Sequence, residues 1–205
     1  MFTISVINRK GGCGKTTIAV HTAERLARSG AHGNVLLLDI DQQASACSSW
    51  GKRASDAQVV IKTTDSDKVA RAVQVAPKKY DLMVIDCLPR HDSAHAEILA
   101  LSDLAVIPLI PGRLDVDGGA ATIKAAQEAG TPFVVVLNSV PVSSNREADA
   151  LRKVLSKRGV DVAPVCIRTR TSYRRAFDDG KLAGDIDSRA RHEMASLVKY
   201  LQTKF

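Results

Sequence analysis

A segment near the start of the chain carries the residue types that bind phosphate groups. After an apolar stretch from Phe2, it reads Asn8-Arg9-Lys10-Gly11-Gly12-Cys13-Gly14-Lys15-Thr16-Thr17. The glycines let backbone N–H groups converge on phosphate oxygens, and a helix starting near Lys15 points its positive end at the same anion. In such a loop Lys15 holds the β and γ phosphates of a nucleotide, Thr16 ligates Mg²⁺ and Thr17 donates to the α phosphate. The alternative is an ordinary glycine-rich turn, which gives the lysines and paired threonines no role.

The loop departs from the common pattern G-x-x-x-x-G-K-[ST], because Arg9 stands where that pattern has its first glycine. It carries instead a second lysine, Lys10, five residues before Lys15. One cation suffices to hold the phosphates of one nucleotide. We therefore expect Lys10 to reach a nucleotide that a second subunit holds.

Acidic side chains follow two apolar stretches that predict buried strands. Asp86 ends one of them, and a carboxylate there is costly unless it meets a cation, so we expect it to hold Mg²⁺ through water. Asp41 lies two residues beyond Asp39, where it could orient an attacking water, and phosphoryl transfer relies mainly on such positioning. The alternative for Asp39 and Asp41 is a pair of helix N-caps.

Apolar and helical segments alternate along the whole chain. The predicted strands are 2–8, 34–40, 58–63, 80–86, 103–107, 132–138 and 162–166, and the predicted helices are 15–29, 43–53, 65–76, 91–101, 116–129 and 145–158. This alternation predicts a single α/β domain, residues 1–205, with a doubly wound, mostly parallel sheet and helices on both faces. Ligands of such sheets bind beyond the carboxyl ends of the strands, where the loop, the aspartates and Asn138 fall.

Residues 10–17 resemble the deviant Walker A motif of the ParA/MinD ATPases, a class of P-loop NTPases. Further segments resemble that family in the expected order: 35–43 its second acidic motif, 80–86 its Walker B strand, 107–111 with 114–115 the next strand and loop, and 134–138 the strand that ends in an adenine-contacting asparagine. Length and the missing N-terminal extension look most like the small plasmid-partition proteins of the ParF type. Gln42 and Cys87-Leu88-Pro89 depart from the family pattern.

The resemblance implies ATP and Mg²⁺ as ligands and weak, partner-stimulated hydrolysis of ATP. It implies nucleotide contacts from the loop and Asn138, with the loop residues being Gly11, Gly12, Cys13, Gly14, Lys15, Thr16 and Thr17. Asp41 would be the catalytic carboxylate, and Asp39 would support the metal site of Thr16 and Asp86. Lys10 would cross the interface of an ATP-sandwich homodimer and stabilise the partner's transition state. Nonspecific DNA and a ParB-like protein would be the partners.

The excess positive charge of the chain lies in its last third. Residues 140–205 hold 14 basic and 8 acidic side chains, whereas residues 1–139 hold 15 and 14. Such a basic region suits sequence-independent contact with DNA phosphates, and a solvated helix face is the alternative. The candidate DNA contacts are Arg152, Lys153, Lys157, Arg158, Arg168, Arg170, Arg174 and Arg175.

Other features favour structural interpretations. The four cysteines form no C-x-x-C pair, and His91 and His95 lack the glutamate and third ligand of a zinc helix. No apolar run approaches the length of a membrane span, so we expect a cytoplasmic protein without a membrane partner. The DNA binding that the resemblance implies would associate it with the nucleoid. Met194, Leu197, Val198, Leu201 and Phe205 predict a last helix packed on the sheet, with a membrane-binding helix as the alternative.

The sequence therefore predicts a Mg²⁺-dependent ATPase that forms an ATP-bound dimer, binds DNA nonspecifically and segregates plasmid or chromosomal DNA. Positioning of a protein assembly, such as a carboxysome or a chemoreceptor cluster, would use the same ATP-dependent mechanism. A MinD-like membrane-associated regulator and a ligase similar to dethiobiotin synthetase are the further alternatives.

Overall fold

Seven parallel strands form one sheet in the order β3-β2-β4-β1-β5-β6-β7. This is a computed structural model, and it describes residues 1–30, 33–40, 59–89 and 92–205, without the side chains of 92 and 113–118. The strands are β1 Phe2–Val6, β2 Val35–Asp39, β3 Val59–Thr63, β4 Leu82–Asp86, β5 Leu104–Leu109, β6 Phe133–Val140 and β7 Val162–Arg168. All seven predicted strands are confirmed, with ends shifted by a few residues. The sheet is parallel throughout these pairings.

Helices cover both faces of this sheet, as predicted. They are α1 Lys15–Arg28, α2 Val69–Val75, α3 Asp92–Ala100, α4 Arg113–Glu128, α5 Arg146–Lys157, α6 Thr171–Asp179, α7 Ala183–Ile186 and α8 Ser188–Gln202. The predicted helix 65–76 is a short α2 between two 3₁₀ turns, Ser66–Lys68 and Ala76–Lys78. The predicted helix 43–53 lies outside the described residues. Helices α6 and α7 were not predicted.

Two hydrophobic cores lie on opposite faces of the sheet. One packs α1, α6, α7 and α8 against alternate strand residues such as Ile4, Val6 and Leu37. The other packs α2, α3, α4 and α5 against the intervening residues, such as Leu36 and Ile85. Successive side chains of a strand point to opposite faces, so strands that are covered on both faces must be apolar throughout. This is why the continuous apolar runs located the strands.

The carboxyl ends of the central strands lie side by side. Asp86 is the register partner of both Val6 and Asp39, and Val6 also pairs with Val106 of β5. The chain leaves β1 between β4 and β5, which is where a doubly wound sheet leaves a crevice for ligands. The sheet thus brings the phosphate loop, Asp39 and Asp86 to one place.

The last helix, α8, packs on the sheet, which confirms the expected position of its apolar face. Met194, Leu197, Val198 and Leu201 are all buried in the core that α1 shares. The Phe205 ring lies 4.3 Å from that of Phe2, measured between centroids. In the described part of the chain, no helix has the length and apolarity to cross a membrane. The apolar face of this helix is covered by the sheet in the structure described, as the predicted packing requires.

Leu201→Ala is expected to lower the free energy of unfolding by about 2–5 kcal/mol, because it opens a cavity in a closed core. Phe205→Ala, at a ring that is 40% exposed, is expected to cost less than about 1.5 kcal/mol. Urea unfolding of the two variants measures both effects. If both variants lowered the free energy of unfolding by the same small amount, the packing of α8 on the sheet would be contradicted.

A candidate nucleotide-binding site

The start of the phosphate loop is fixed by a buried asparagine. Asn8 Nδ2 donates to the Pro108 carbonyl at 2.7 Å, and its Oδ1 accepts from the Lys10 N–H at 2.9 Å. The Arg9 N–H donates to Thr122 Oγ1 of α4 at 3.2 Å. The backbone around Lys10 is therefore tied to β5 and α4. Sequence reasoning missed Asn8, although a polar residue at the end of an apolar strand was a visible signal.

The end of the loop is fixed by a second asparagine. Asn138 Nδ2 donates to the Cys13 carbonyl at 2.8 Å. Gly14 has φ +94, and a Cβ on it would lie 2.1 Å from Asn138 Nδ2. Only glycine satisfies both the backbone conformation and this contact. The structure thus places Asn138 against the phosphate loop; its predicted contact with adenine stays a prediction.

Lys15 is buried and reaches back over the loop. Its Nζ donates to the Lys10 carbonyl at 2.9 Å, and Cys13 Sγ donates to the same oxygen at 3.3 Å. Helix α1, described over its whole length, starts here without a side-chain cap or an acidic residue in its first turn. The first N–H groups of a helix and its dipole favour an anion at such an end. The loop is therefore built to receive a phosphate group.

A cavity of about 330 Å³ lies over the loop. Its lining combines the predicted phosphate-binding residues with two from the loop after β4: Gly11, Gly12, Gly14, Lys15, Thr16, Thr17, Cys87 and Pro89. Burial and the adjacent Asp86 carboxylate raise the pKa of Cys87 well above its ordinary value, against the opposing charge of Lys15. Cys87 therefore forms a neutral wall of the site, where a thiolate would repel phosphate.

Two buried carboxylates lie next to this cavity, at adjacent strand ends. Asp39 and Asp86 are register partners, and they are 0% and 1% exposed. Two like charges in a buried place favour a cation between or beside them, and carboxylate oxygens suit Mg²⁺. The described residues hold no cluster of three or more His, Cys, Asp or Glu arranged for a metal. Phosphate oxygens and water would complete the coordination, so the residues fit a magnesium–nucleotide complex.

Asp41 and His95 were also considered from the sequence. Asp41, the predicted catalytic carboxylate, lies outside the described residues and follows β2 by two positions. His95 is buried, and its Nε2 lies 2.7 Å from the Leu88 carbonyl. His91, which forms no zinc-helix pattern with His95 in the sequence, lies outside the described residues. The contact with the Leu88 carbonyl supports a structural role for His95.

A buried histidine connects the phosphate loop with the C-terminal helices. His21 Nδ1 donates to the Thr17 carbonyl at 2.8 Å, and its Nε2 accepts from the Ala183 N–H at 3.0 Å. Burial lowers the pKa of His21 to about 4, although the bond to Thr17 opposes this shift, so the ring is neutral at physiological pH. Sequence reasoning missed this contact because its partners are 162 positions apart.

The predicted DNA-contact residues divide between two sides of the sheet. Arg152, Lys153 and Lys157 lie on α5 and Arg158 directly follows it, on one face. Arg174 and Arg175 lie on α6, on the other face. Arg152 donates to the Ala163 carbonyl and to Cys166 Sγ, and Arg168 Nη1 donates to the Pro141 carbonyl. Arg170 pairs with buried Glu193, and that hydrogen bond raises the pKa of Arg170. The exposed members are Lys153, Lys157, Arg158, Arg174 and Arg175.

The sequence profile of the CobQ/CobB/MinD/ParA nucleotide binding domain matches residues 4–183, and the chain belongs to this family. It is 30% identical over 198 residues to the Maintenance of carboxysome distribution protein A of Halothiobacillus neapolitanus, covering 93% of this chain and 90% of the relative. It is 34% identical over 179 residues to the protein of that name from Gloeobacter kilaueensis, covering 86% and 81%. The Chromosome-partitioning ATPase Soj of Thermus thermophilus is 28% identical over 154 residues, covering 61% of each chain.

Solved structures show the same fold. The septum site-determining protein MinD of Pyrococcus horikoshii, complexed with Mg-ADP, gives a TM-score of 0.80 at 18% identity, covering 98% of this chain and 95% of the other. A putative plasmid partition protein of Borrelia burgdorferi bound to AMPPNP gives a TM-score of 0.80 at 18% identity, covering 100% and 99%. The predicted P-loop fold and ParA/MinD membership are confirmed. The narrower resemblance to ParF stays a prediction.

Gly14→Ala is expected to abolish tight nucleotide binding, because the new methyl group would displace Asn138 and α1 would start from a strained residue. The left-handed backbone alone costs about 1–2 kcal/mol. Titration with a fluorescent ATP analogue measures the effect. Gly30→Ala is the matched control, since Gly30 has φ +68 but nothing within 4 Å of its Cβ position.

Adding Asn138→Ala to Gly14→Ala removes the clash but also removes the bond to the Cys13 carbonyl, so nucleotide binding should stay below the wild-type level. Wild-type affinity in the Gly14→Ala single variant would contradict the close contact that the structure shows.

Proposed function

We propose that the chain is a Mg²⁺-dependent ATPase that forms an ATP-bound homodimer, binds DNA nonspecifically and positions a cargo. The observation that carries the proposal is the loop in which Lys15 bonds to the carbonyl of a second lysine, Lys10, beside two buried carboxylates. Lys15 supplies the cation that one nucleotide needs. Lys10, whose backbone is fixed by Asn8, is the residue assigned to the partner's nucleotide.

Each residue of the nucleotide site has a separate role in the proposed hydrolysis of ATP. Lys15 and the loop N–H groups hold the phosphates and Thr17 donates to the α phosphate, while Thr16, Asp39 and Asp86 would hold Mg²⁺. A bound Mg²⁺ would neutralise part of the negative charge of the phosphates. Asp41 orients the attacking water, and Lys10 of the partner subunit stabilises the charge that builds in the transition state. Asn138 is the residue that we expect to contact the adenine ring.

The DNA-binding part of the proposal rests on the exposed basic residues of α5 and α6. Arg174 lines a cavity of about 420 Å³ with Thr16 and Thr17, so α6 borders the nucleotide site. His21 joins the carbonyl of Thr17 to the start of α7. A change in the phosphates bound at Thr16 and Thr17 would therefore act on the neighbouring helix α6. This gives DNA binding by α6 a physical reason to depend on ATP. Such a protein would be cytoplasmic and associated with the nucleoid.

The cargo is proposed from the relatives. Two proteins named for carboxysome distribution match over most of their length and of this chain, whereas the chromosome-partitioning relative covers 61%. A protein assembly is thus as well supported a cargo as the plasmid or chromosome that the sequence motifs favoured. In either case a ParB-like or cargo-bound partner would stimulate hydrolysis and release the dimer. The covered apolar face of α8 weighs against a MinD-like membrane attachment through this helix.

Lys10→Ala is expected to lower the turnover number for ATP by about a hundredfold, the scale of one lost transition-state donor. Binding of a fluorescent ATP analogue by the monomer should stay near the wild-type level. Steady-state release of phosphate measures the first effect. A loss of nucleotide binding equal to that of Lys15→Ala would place Lys10 on its own subunit's nucleotide and contradict the proposal.

Mixing Lys10→Ala with Asp41→Ala tests whether Lys10 acts on the partner. In a mixed dimer, the site of the Lys10→Ala subunit keeps Asp41 and receives Lys10 from the other subunit. Random mixing should restore about a quarter of the wild-type turnover if the residues act across the interface. An inactive mixture would contradict the assignment.

Binding to a nonspecific DNA duplex is expected with ATP and not with ADP, and it should weaken steeply as salt rises. Arg174→Ala/Arg175→Ala should reduce the slope of log affinity against log salt by about two, because two phosphate contacts are lost. Fluorescence anisotropy at several salt concentrations measures this slope.

Lys78→Ala/Lys79→Ala removes two exposed charges outside the proposed surface and should leave the slope unchanged. Protein that hydrolyses ATP but shows no ATP-dependent DNA binding would contradict the DNA part of the proposal. ATP-dependent binding to liposomes in its place would favour a membrane-associated regulator.

A further inference from the structure

An apolar cleft lies between α4 and α5, away from the phosphate loop. Its volume is about 250 Å³, enough for one or two apolar side chains. The floor and walls are Leu109, Ile123, Leu151, Val154 and Leu155. Val154 is 49% exposed, although a valine on an amphipathic helix normally faces the core. We call this feature the α4–α5 cleft.

Two basic side chains line the α4–α5 cleft, one from each side. Lys124 of α4 and Arg158, which follows α5, are exposed and line it, and the exposed Lys157 precedes Arg158. Glu128 pairs with Lys124 at 3.6 Å, but both side chains are largely exposed, and such a pair contributes little. An apolar groove with a basic rim complements a helix that has apolar side chains on one face and acidic ones beside them.

The cleft is connected to the loop that carries Lys10. Ile123 and Lys124 directly follow Thr122, whose hydroxyl accepts from the Arg9 N–H. Leu109, on the floor, ends the strand whose Pro108 carbonyl accepts from Asn8. Gly119 of α4 lies so close that a Cβ there would be 2.2 Å from Leu109 Cδ2. A ligand that moves α4 against β5 would therefore move the backbone of Arg9 and Lys10.

We propose that the α4–α5 cleft is the docking site of a partner protein's acidic amphipathic helix, which inserts one or two apolar side chains between α4 and α5. Docking shifts α4 and, through Thr122 and Arg9, places Lys10 for hydrolysis. The effect on hydrolysis rests on the proposed function, whereas the binding does not. Arg158 is also in the proposed DNA surface, so the docked helix competes with DNA there.

The test uses a fluorescein-labelled peptide of about five helical turns, with leucines on one face and glutamates on the others. Two matched peptides replace the leucines by glutamine or the glutamates by lysine. The Leu/Glu peptide should bind the nucleotide-free protein, and Val154→Asp should weaken it by about tenfold or more. Val75→Asp, at a helical valine that is 54% exposed elsewhere, should leave the affinity unchanged.

Equal binding of the glutamine-containing peptide, or equal affinity of wild type and Val154→Asp, would overturn the proposal, since attraction to basic residues alone would then explain it. Nucleotide-independent self-association that Val154→Asp abolishes, without binding of the peptide, would also overturn it in favour of a second copy of the chain.

The link to hydrolysis is tested with Thr122→Val, which removes the acceptor for the Arg9 N–H while keeping the shape of the side chain. This variant should bind the Leu/Glu peptide as the wild type does but lose the peptide's stimulation of ATP hydrolysis. Unchanged stimulation would overturn the proposed route to Lys10. A protein that binds the peptide but hydrolyses no ATP would refute the proposed function and leave the docking site supported.

Discussion

The site depends on a phosphate loop that two asparagines hold from opposite ends. The Asn8 side chain bonds both to the backbone of Lys10 and to the end of β5. The Asn138 side chain, near the end of β6, donates to the carbonyl of Cys13. Because these bonds are made inside the protein, the loop is shaped before a nucleotide arrives, and less ordering entropy opposes binding. The parallel sheet makes this possible, since it brings the ends of β1, β5 and β6 to the same edge.

The same arrangement connects the site with both layers of helices. On one face, His21 joins the first turn of α1 to the start of α7, and α6 borders the threonines of the loop. On the other face, Thr122 of α4 holds the backbone of Arg9. A switch needs an element whose position differs between two ligand states. Helix α4 is hydrogen-bonded to the loop and α6 lines a cavity beside it, and each helix carries exposed cationic or apolar residues at the surface.

Sequence patterns predicted the sheet well because its strands are apolar on both sides and end in residues with distinctive chemistry. They also identified the loop and the paired positions of Asp39 and Asp86. Asn8, His21 and Thr122 were missed, because their roles come from partners that are distant in sequence and no local periodicity marks such contacts. The basic residues show the same limit. Arg170 looked like a surface charge, but buried Glu193 pairs with it, and only the fold brings them together.

The central claim is that the nucleotide holds two copies of this chain together. Sedimentation of Asp41→Ala, which should bind ATP without turning it over, tests this directly when compared with ATP, ADP and no nucleotide. The account predicts a dimer with ATP and a monomer in the other two samples, and it predicts that adding Lys10→Ala weakens the dimer. A monomer under all three conditions, in protein shown to bind ATP, would contradict the account, and so would a dimer that forms equally without nucleotide.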